Sequence, residues 1–423
     1  MAKKEYLWTP ESTPIIAAHS LAKHRILGEY VQTYLKVLTA RPGMDKFLIT
    51  LVDGFAGGGV YQDASSSQLY PGSPQILLNS VRAAEASINS TRSKPVRIDA
   101  NFVFVEKNPT SLQCLKSVLL KRGDLTEKNF PTLLEGAFEN YVESIITQIK
   151  SRGRAHRAIF VLDQYGYTHV SPNVLARIFS ELPNAEVFLT IAAGWITPYL
   201  SNCLDVAKRL GLSQQMIDEL SKNPEHDLDL SDAGRRPDLL AVQRILHHIF
   251  TSVVLSRFYT PFFIISRESN RPIWFLHIAN NERAHDVVKT LHWQFENHFE
   301  HFGGSGLKML GYDPNADPAV TGQFKFKFDS DAKNETVSSL IQELPRRVSE
   351  NYSTGIEFNQ LFQNLCNETP ANKELMGKAI SKLCSEGELE KIGSKGEQRE
   401  PATMPHDDDF VRIPVQTSFS IPE

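Results

Sequence analysis

The stretch FLITLVDGFAGGGVYQ, residues 47–62, is the most informative part of this sequence. Its apolar run leads into Asp53, and Gly54, Phe55 and Ala56 are followed by three consecutive glycines. A continuous apolar run of this length is typical of a strand buried in a parallel sheet. Glycines after such a strand let the backbone turn tightly and let a ligand approach. The stretch predicts a nucleotide-cofactor loop at the end of a first Rossmann strand, and a tight turn without a ligand is the alternative.

A second apolar run, residues 100–106, ends in Glu106. In Rossmann-type sites an acid at the end of the second strand bonds the ribose hydroxyls of the cofactor. The alternative is that Glu106 lies at the start of the next helix, where acids are favoured.

The run at residues 158–162 also ends in an acid, Asp163, and Tyr165 follows two positions later. A carboxylate can accept hydrogen bonds from an exocyclic amine while an aromatic ring stacks on the base. The pair would then position the amine for methyl transfer. Alternatively, Asp163 caps the helix that begins near Pro172, and Tyr165 packs beneath it.

The amino-terminal residues 13–38 have the apolar spacing of a helix. Lys23 and His24 lie on this helix, with His19 one turn earlier. Lys23 could meet a cofactor carboxylate or a substrate phosphate. A simply solvated lysine is the alternative.

Residues 19–200 resemble the three-Cys-motif partner family (TcmP), bacterial proteins with a methyltransferase-like Rossmann core. The order of motifs is also similar to that of large-subunit ribosomal-RNA adenine-N6 methyltransferases. The segments that carry the resemblance are His19-x3-Lys23-His24, Asp53-Gly54-Phe55-Ala56-Gly57-Gly58-Gly59-Val60-Tyr61, Gly72-Ser73-Pro74, Phe104-Val105-Glu106 and Leu162-Asp163-Gln164-Tyr165-Gly166.

The resemblance implies S-adenosylmethionine (SAM) as cofactor and a role for Lys23 at its site. The loop residues implied to bind it are Asp53, Gly54, Phe55, Ala56, Gly57 and Gly59. The adenine-N6 enzymes carry Asp-Pro-Pro-Tyr where this chain has Asp163-Gln164-Tyr165-Gly166. Gln164 is expected to be more flexible than a proline and to compete for the amine. The family name refers to cysteines in a neighbouring radical-SAM-like protein, which suggests a protein partner.

Length and composition limit the remaining possibilities. The 423 residues are too many for one compact core, so two or three domains are expected. The motifs and the resemblance predict a SAM methyltransferase-like domain over residues 1–330, with a helical insertion at about 199–256, and a winged-helix-like domain over 331–423. A net charge of −4 gives no global basic field for nucleic acid. The four scattered cysteines argue against a disulfide framework, and no metal site is predicted. No run reaches membrane-spanning length, so a cytoplasmic protein without membrane contact is expected.

Beyond the insertion, residues 258–267 and 272–279 predict an antiparallel hairpin at the sheet edge. Residues 285–302 predict one long helix. His298 and His301 are three apart on it, but no third metal ligand is evident.

The C-terminal residues have the pattern of a winged helix-turn-helix: helices at 335–350, 357–365 and 372–386, then two strands around a polar turn. Pro345 is expected to kink or end the first helix, and Gly387 to cap the third. Such a module places its third helix in the major groove of DNA. Phosphate contacts would come from Lys378, Lys382, Lys395 and Arg399, but acidic residues lie among them. Binding to DNA or RNA and docking to a protein both stay open.

The sequence thus predicts an α/β class I methyltransferase-like Rossmann core with a helical insertion, plus a C-terminal winged helix-turn-helix. The leading function is SAM-dependent methyl transfer to an exocyclic amine of a nucleic-acid base, with Asp163 and Tyr165 as catalytic residues. The alternative is a weakly catalytic or non-catalytic protein that binds SAM or a related nucleoside and works with a three-Cys-motif protein.

Overall fold

A computed structural model describes residues 6–64, 66, 68–122, 125, 130–164, 169–191, 254, 256–260, 263–266, 271–295, 299–301, 305–307, 326–327 and 329–414. The chain divides into two compact units, residues 1–300 and 301–423. The helical insertion predicted at about 199–256 lies almost entirely outside the described residues. The predicted domain boundary at residue 330 stays a prediction.

The first unit alternates strands with helices, as the sequence predicted. Its helices are α1 (Ala18–Leu38), α2 (Ser73–Asn89), α3 (Pro109–Lys121), α4 (Val142–Ser151), α5 (Pro172–Glu181) and α6 (Glu282–Gln294). Its strands are β1 (Lys46–Asp53), β2 (Val60–Gln62), β3 (Leu69–Pro71), β4 (Arg97–Glu106), β5 (Thr132–Glu135), β6 (Ala158–Leu162), β7 (Ala185–Ile191), β8 (Phe258–Tyr259), β9 (Phe263–Ser266), β10 (Arg271–Ala279) and β11 (Phe299–His301).

The main sheet has the order β5-β4-β1-β6-β7-β10-β9-β11, and β8 also pairs with β10. The five strands from β5 to β7 are mutually parallel, whereas β10 is antiparallel to β7, β8 and β9. Every residue of β6 and β7 is buried, as expected for central strands covered on both faces. This confirms the predicted Rossmann-like methyltransferase core. The strand order reverses at β1 and β6, and ligands of such sheets bind at the carboxyl ends of the strands at this point.

Two sequence-based expectations about the end of this unit are wrong. The hairpin does not form the sheet edge, because β10 lies between β7 and β9, and β9 pairs in turn with β11. The helix predicted over residues 285–302 ends at Gln294, and Phe299 and Glu300 pair with β9. The helical period of the sequence continues beyond Gln294, but the backbone N–H and C=O groups of residues 299–300 form their hydrogen bonds with a neighbouring strand instead.

The second unit contains β12 (Phe326–Lys327), α7 (Ser330–Asn351), β13 (Ile356–Glu357), α8 (Phe358–Leu365), α9 (Lys373–Ser385), β14 (Glu390–Ile392) and β15 (Phe410–Arg412). Strands β14 and β15 form the predicted wing, and β13 adds a third strand on the other side of β15. Gly387 follows α9 with a φ of 78°, the left-handed conformation of a glycine C-cap. The predicted winged helix is confirmed.

The expectation that Pro345 ends α7 is wrong, since the helix continues past it to Asn351. Leu340, Leu344 and Val348 are fully buried on one face of α7 around the proline. This burial offsets the hydrogen bond that proline cannot donate.

Among the described residues, no helix combines the length and apolar character needed to cross a membrane.

Candidate cofactor and methyl-transfer site

Asp53 ends β1 at the switch point of the sheet, and its side chain is completely buried. Its Oδ1 accepts a hydrogen bond from the Phe55 backbone N–H at 3.1 Å. Burial raises the pKa of Asp53 to about 7, although hydrogen bonds from Ser73 and Phe55 act in the opposite direction. Its Oδ2 has no hydrogen-bond partner among the described residues. A buried acceptor of this kind calls for a donor that the described residues do not supply.

The glycines after Asp53 are required by backbone geometry and by close packing. Gly57 and Gly59 have φ values of 59° and 84°, which disfavour any residue with a Cβ atom. A Cβ atom on Gly57 or Gly58 would collide with the indole of Trp8. The Trp8 indole N–H donates to the Val60 carbonyl at 2.6 Å, which fixes the ring against the loop. The amino-terminal segment is therefore part of this site.

Glu106 ends β4 and ties the glycine loop to the next helix. Its Oε2 accepts from the Gly57 N–H at 2.8 Å, and its Oε1 accepts from the Asn108 N–H at 2.7 Å. Asn108 in turn caps α3 by accepting from the Ser111 N–H at 3.0 Å. Each oxygen of Glu106 keeps a lone pair for a further donor. Its role on a ribose stays a prediction.

Asp163 and Lys23, which are 140 residues apart in sequence, form an ion pair. The Lys23 Nζ lies 2.5 Å and 2.6 Å from the two carboxylate oxygens. The Lys23 side chain is 7% exposed and that of Asp163 is 29% exposed, so a ligand can approach from the aspartate side. Burial alone would raise the pKa of Asp163, but the Lys23 ammonium holds it below its usual value. The carboxylate is therefore ionised at neutral pH.

The capping alternative for Asp163 is wrong, because Ser171 occupies the N-cap position of α5. Lys23 is not a solvated lysine either, since it is buried in the pair. Lys23 belongs to a motif on α1 and Asp163 to a motif after β6, and the fold brings the two together.

His19 and His24 are the titratable neighbours of this ion pair. Burial, and to a lesser degree the positive charge of Lys23, lower the pKa of both histidines to about 4. Both rings are therefore neutral at pH 7. The His24 ring packs against the Tyr61 ring with centroids 5.7 Å apart. Among the described residues, Asp163 thus lies beside the Lys23 ammonium and the neutral rings of His19 and His24.

Gln164 does not act as a flexible competitor for the amine. Its side chain is buried, and its Oε1 accepts from the backbone N–H groups of His169 and Val170 at 3.0 Å and 3.1 Å. The amide therefore holds the end of the loop that follows β6, as rigid prolines do by other means. Tyr165 lies outside the described residues, and its role stays a prediction.

Trp8 is the residue of this site that the sequence argument missed. It packs with Tyr61 and Tyr6 at ring-centroid distances of 5.2 Å and 6.0 Å. An isolated tryptophan before the first helix has no periodic pattern around it. The three consecutive glycines were the available signal, because a glycine run also marks the close approach of a bulky neighbour.

In the described parts of the chain, one group has the spacing of metal ligands: His406, Asp408 and Asp409, whose donor atoms lie within 4.8 Å of one another. Asp409 already accepts from Arg399 at 2.8 Å and from the His406 N–H at 2.8 Å. These bonds give the carboxylate a structural role in the wing.

The basic residues predicted to contact phosphates are mostly paired within the winged helix. Lys378 lies 2.5 Å from Glu374, and Lys382 lies 4.0 Å from Glu386. Arg399 pairs with Asp409 at 2.8 Å and with Glu397 at 3.3 Å. Residues 329–414 carry sixteen acidic and ten basic residues. The winged helix therefore has little net attraction for the phosphate backbone of a nucleic acid.

Comparison with protein families finds a match in the C-terminal part of the chain. A family model described as the GMT-like wHTH domain matches residues 311–396. The match lies within the second unit, so it bears on the winged helix and not on the Rossmann core. No curated protein matches the chain.

Several solved structures are similar to part of the chain. Protein LPL1258 from Legionella pneumophila, assigned to DUF519, is 11% identical with a TM-score of 0.34 and covers 64% of this chain and 92% of its own. The plantazolicin methyltransferase BamL, solved with S-adenosylhomocysteine, is 10% identical with a TM-score of 0.24 and covers 62% and 85%. The cyclopropane synthase MmaA2 from Mycobacterium tuberculosis is 11% identical with a TM-score of 0.20 and covers 58% and 83%.

At these identities and scores, the similar structures carry no functional argument. The Rossmann-like methyltransferase fold rests on the strand order of the chain itself. None of these three structures is described as a three-Cys-motif partner protein, so that resemblance stays a prediction.

Proposed function

We propose that this protein binds SAM at the carboxyl edge of its sheet and transfers the methyl group to an exocyclic amine of a nucleic-acid base. The observation that carries the proposal is the Lys23–Asp163 ion pair. It lies at the end of β6, next to the strand that leads into the glycine loop. Lys23 keeps the carboxylate ionised, and the exposed side of Asp163 leaves room for a donor.

The residues around the loop fit the polar groups of SAM. The unpartnered Oδ2 of Asp53 suits the ammonium of the methionine part, because a buried carboxylate gains most from a positive donor. Glu106 has lone pairs left for the ribose hydroxyls. The backbone of the loop, formed by Gly54, Phe55, Ala56, Gly57 and Gly59, would line the remaining surface. SAM, when bound, supplies an electrophilic methyl group on a sulfonium.

Asp163 would act by positioning. Its carboxylate accepts a hydrogen bond from the substrate amine and orients the nitrogen lone pair toward the methyl carbon. The methylated nitrogen would carry a positive charge, and the Asp163 carboxylate would accept its proton and release it to solvent. Lys23 holds the carboxylate in place and keeps it charged. Alignment of this kind supplies much of the rate in transfer reactions.

Calorimetric titration with SAM, S-adenosylhomocysteine and NAD tests the cofactor. We expect wild-type protein to bind SAM more tightly than NAD. Glu106→Ala should weaken SAM binding by about tenfold or more, since it removes a charge-assisted hydrogen bond. Tighter binding of NAD, or no binding of SAM, contradicts the proposal. Because Glu106 also holds the loop, circular dichroism of each variant must confirm that it is folded.

Labelled methyl incorporation into a panel of RNA and DNA tests the chemistry. We expect Asp163→Asn to abolish incorporation while SAM affinity stays within a few-fold. Tyr165→Ala should reduce incorporation sharply if that ring stacks on the base. Wild-type levels in both variants would place the chemistry elsewhere.

A second candidate function is that of a partner protein that binds SAM or a related nucleoside and presents a substrate to a three-Cys-motif protein. The internally paired lysines of the winged helix favour it, because they leave little basic surface for a nucleic acid. If the wild type binds SAM but methylates no nucleic acid, alone or with a three-Cys-motif protein, this second function replaces the first. The winged helix then has two possible roles to separate: binding to DNA or RNA, and docking to the partner protein.

A further inference from the structure

A buried polar triad lies on the same helix as Lys23 but away from the proposed cofactor. The Tyr30 hydroxyl donates to the Glu186 carboxylate. The His277 Nε2 lies 3.0 Å from the same Glu186 oxygen. Tyr30 and His277 are almost wholly inaccessible, and the side chain of Glu186 is 6% exposed. Burying polar groups in an apolar core is costly unless they bond one another, and these three groups do so.

The triad joins three elements. Tyr30 lies on α1, Glu186 at the start of β7 and His277 on β10. The Tyr30 ring also packs edge-on against Phe188 with centroids 4.9 Å apart, and lies 5.0 Å from the His277 ring. Because the Tyr30 hydroxyl is held by a hydrogen bond and its ring is packed on two sides, α1 has little freedom to rotate about its axis.

Lys23 and Tyr30 are seven residues apart, so they lie on nearly the same face of α1 and about 10.5 Å apart along it. Their partners have a matching separation in the sheet. Glu186 is in register with Ile159, and Asp163 follows Ile159 by four residues, a distance of about 13 Å along a strand. The helix is therefore attached to the sheet at two points, once at the carboxyl edge and once near the opposite edge.

We propose that Tyr30, Glu186 and His277 form a positioning anchor that fixes the rotation of α1 and thereby holds Lys23 against Asp163. The inference rests on the proposed function for its effect on catalysis, but not for its effect on the ion pair. None of the three residues touches the reacting atoms in this view. They act through Lys23, and a small rotation of α1 would move the ammonium away from the carboxylate.

Tyr30→Phe is the direct test, and Tyr34→Phe is the matched control. Tyr34 is also buried on α1, one turn further along the helix. Tyr34→Phe removes the same chemical group, a phenolic hydroxyl. We expect Tyr30→Phe to lower kcat for methyl transfer by about tenfold or more with KM for SAM within twofold, because misplacement affects the reacting geometry. Tyr34→Phe should leave both constants within twofold of wild type.

A second readout does not depend on methyl transfer. The His24 ring reports the position of Lys23, whose positive charge contributes to the lowered pKa of His24. In Tyr30→Phe we expect the His24 pKa, measured by NMR titration, to rise by about half a unit or more. Tyr34→Phe should leave it unchanged.

Glu186 variants supply a rescue test. Glu186→Gln keeps an oxygen that accepts from Tyr30, so it should retain both kcat and the His24 pKa. Glu186→Ala should behave like Tyr30→Phe. If Tyr30→Phe lowers only the unfolding temperature and leaves kcat and the His24 pKa unchanged, the triad is merely structural and the proposal is wrong. If wild-type protein methylates nothing but the His24 pKa shifts as expected, the anchor stands and the proposed function fails.

Discussion

The two units use lysine–carboxylate pairs in opposite ways. In the Rossmann core, Lys23 and Asp163 are mostly buried and far apart in sequence. In the winged helix, Lys378 pairs with Glu374 four residues earlier on the same helix, and both side chains are more than half exposed. A buried pair depends on both partners, because removing one leaves an uncompensated charge in a poorly solvated place. An exposed pair is screened by water and contributes little. The difference is what we expect if the core pair belongs to the proposed site and the helical pairs only neutralise exposed charge.

Removal of Lys23 should give the largest effect. Lys23→Met leaves the Asp163 carboxylate without its cation, and we expect the free energy of unfolding to fall by roughly 3–5 kcal/mol at pH 7. Urea denaturation measures this change. The double variant Lys23→Met/Asp163→Asn removes the orphaned charge and should recover much of the loss. If the double variant is no more stable than the single one, the pair is not the source of the effect.

The pH dependence of stability should come next in size, through Asp53. Its pKa is near 4 in the unfolded chain and about 7 in the folded protein. The folded state therefore binds the proton more tightly, and stability falls as pH rises from about 4 through 7. The loss should be roughly 4 kcal/mol above pH 7, since each of about three pKa units contributes about 1.4 kcal/mol. Asp53→Asn should flatten this part of the profile in urea denaturation from pH 5 to pH 8.

The same residue links pH to the cofactor. If SAM binds as proposed, an ionised Asp53 attracts its ammonium, so SAM should stabilise the protein more at pH 8 than at pH 6. Asp53→Asn should remove this difference. An unchanged ligand effect in that variant would place the ammonium elsewhere.

Two glycines extend the comparison between the units. Gly58→Ala drives a methyl group into Trp8, and overpacking of this kind costs about 1–3 kcal/mol. Gly387→Ala meets no neighbouring atom within 4 Å, so only its φ of 78° resists the change, at about 1 kcal/mol. Thermal unfolding should therefore show the larger loss for Gly58→Ala. Adding Trp8→Ala should lessen the loss from Gly58→Ala and leave that from Gly387→Ala unchanged.

The smallest effect is expected at Lys378. Lys378→Ala should lower the free energy of unfolding by about 0.3 kcal/mol, since it removes one exposed pair. If the paired lysines do not contact phosphate, the salt dependence of any duplex binding should keep its slope in Lys378→Ala/Lys382→Ala. A slope that flattens by roughly 0.9 for each lysine would show that both contact phosphate and would reverse this reading of the winged helix. Lys395→Ala, which changes a lysine of the wing, is the matched control for the measurement of the salt slope.

Local patterns predicted most of the regular structure. Continuous apolar runs ending in acids gave β1, β4 and β6, since central parallel strands are buried on both faces whatever surrounds them. Turn and cap residues placed the winged helix, with Gly387 as the clearest signal. The errors fell where competing structures share one pattern. Residues 299–301 continue a helical period yet pair as a strand, and β13 is too short to show any period.

The sequence by itself determined the class of sheet, the loop after Asp53, the acids at the ends of the strands and the helices of the winged module, because these depend on neighbours a few residues away. Only the tertiary structure decided that Lys23 meets Asp163, that Trp8 packs on Gly58 and that Gln164 holds its own loop. It also placed β10 inside the sheet. The physical reason is that ion pairing and close packing join residues far apart in sequence, 52 positions for Trp8 and Val60 and 140 for Lys23 and Asp163, and no local period records those distances. The Gln164 contacts span only five and six positions, but they depend on burial of its side chain, which the local pattern does not show.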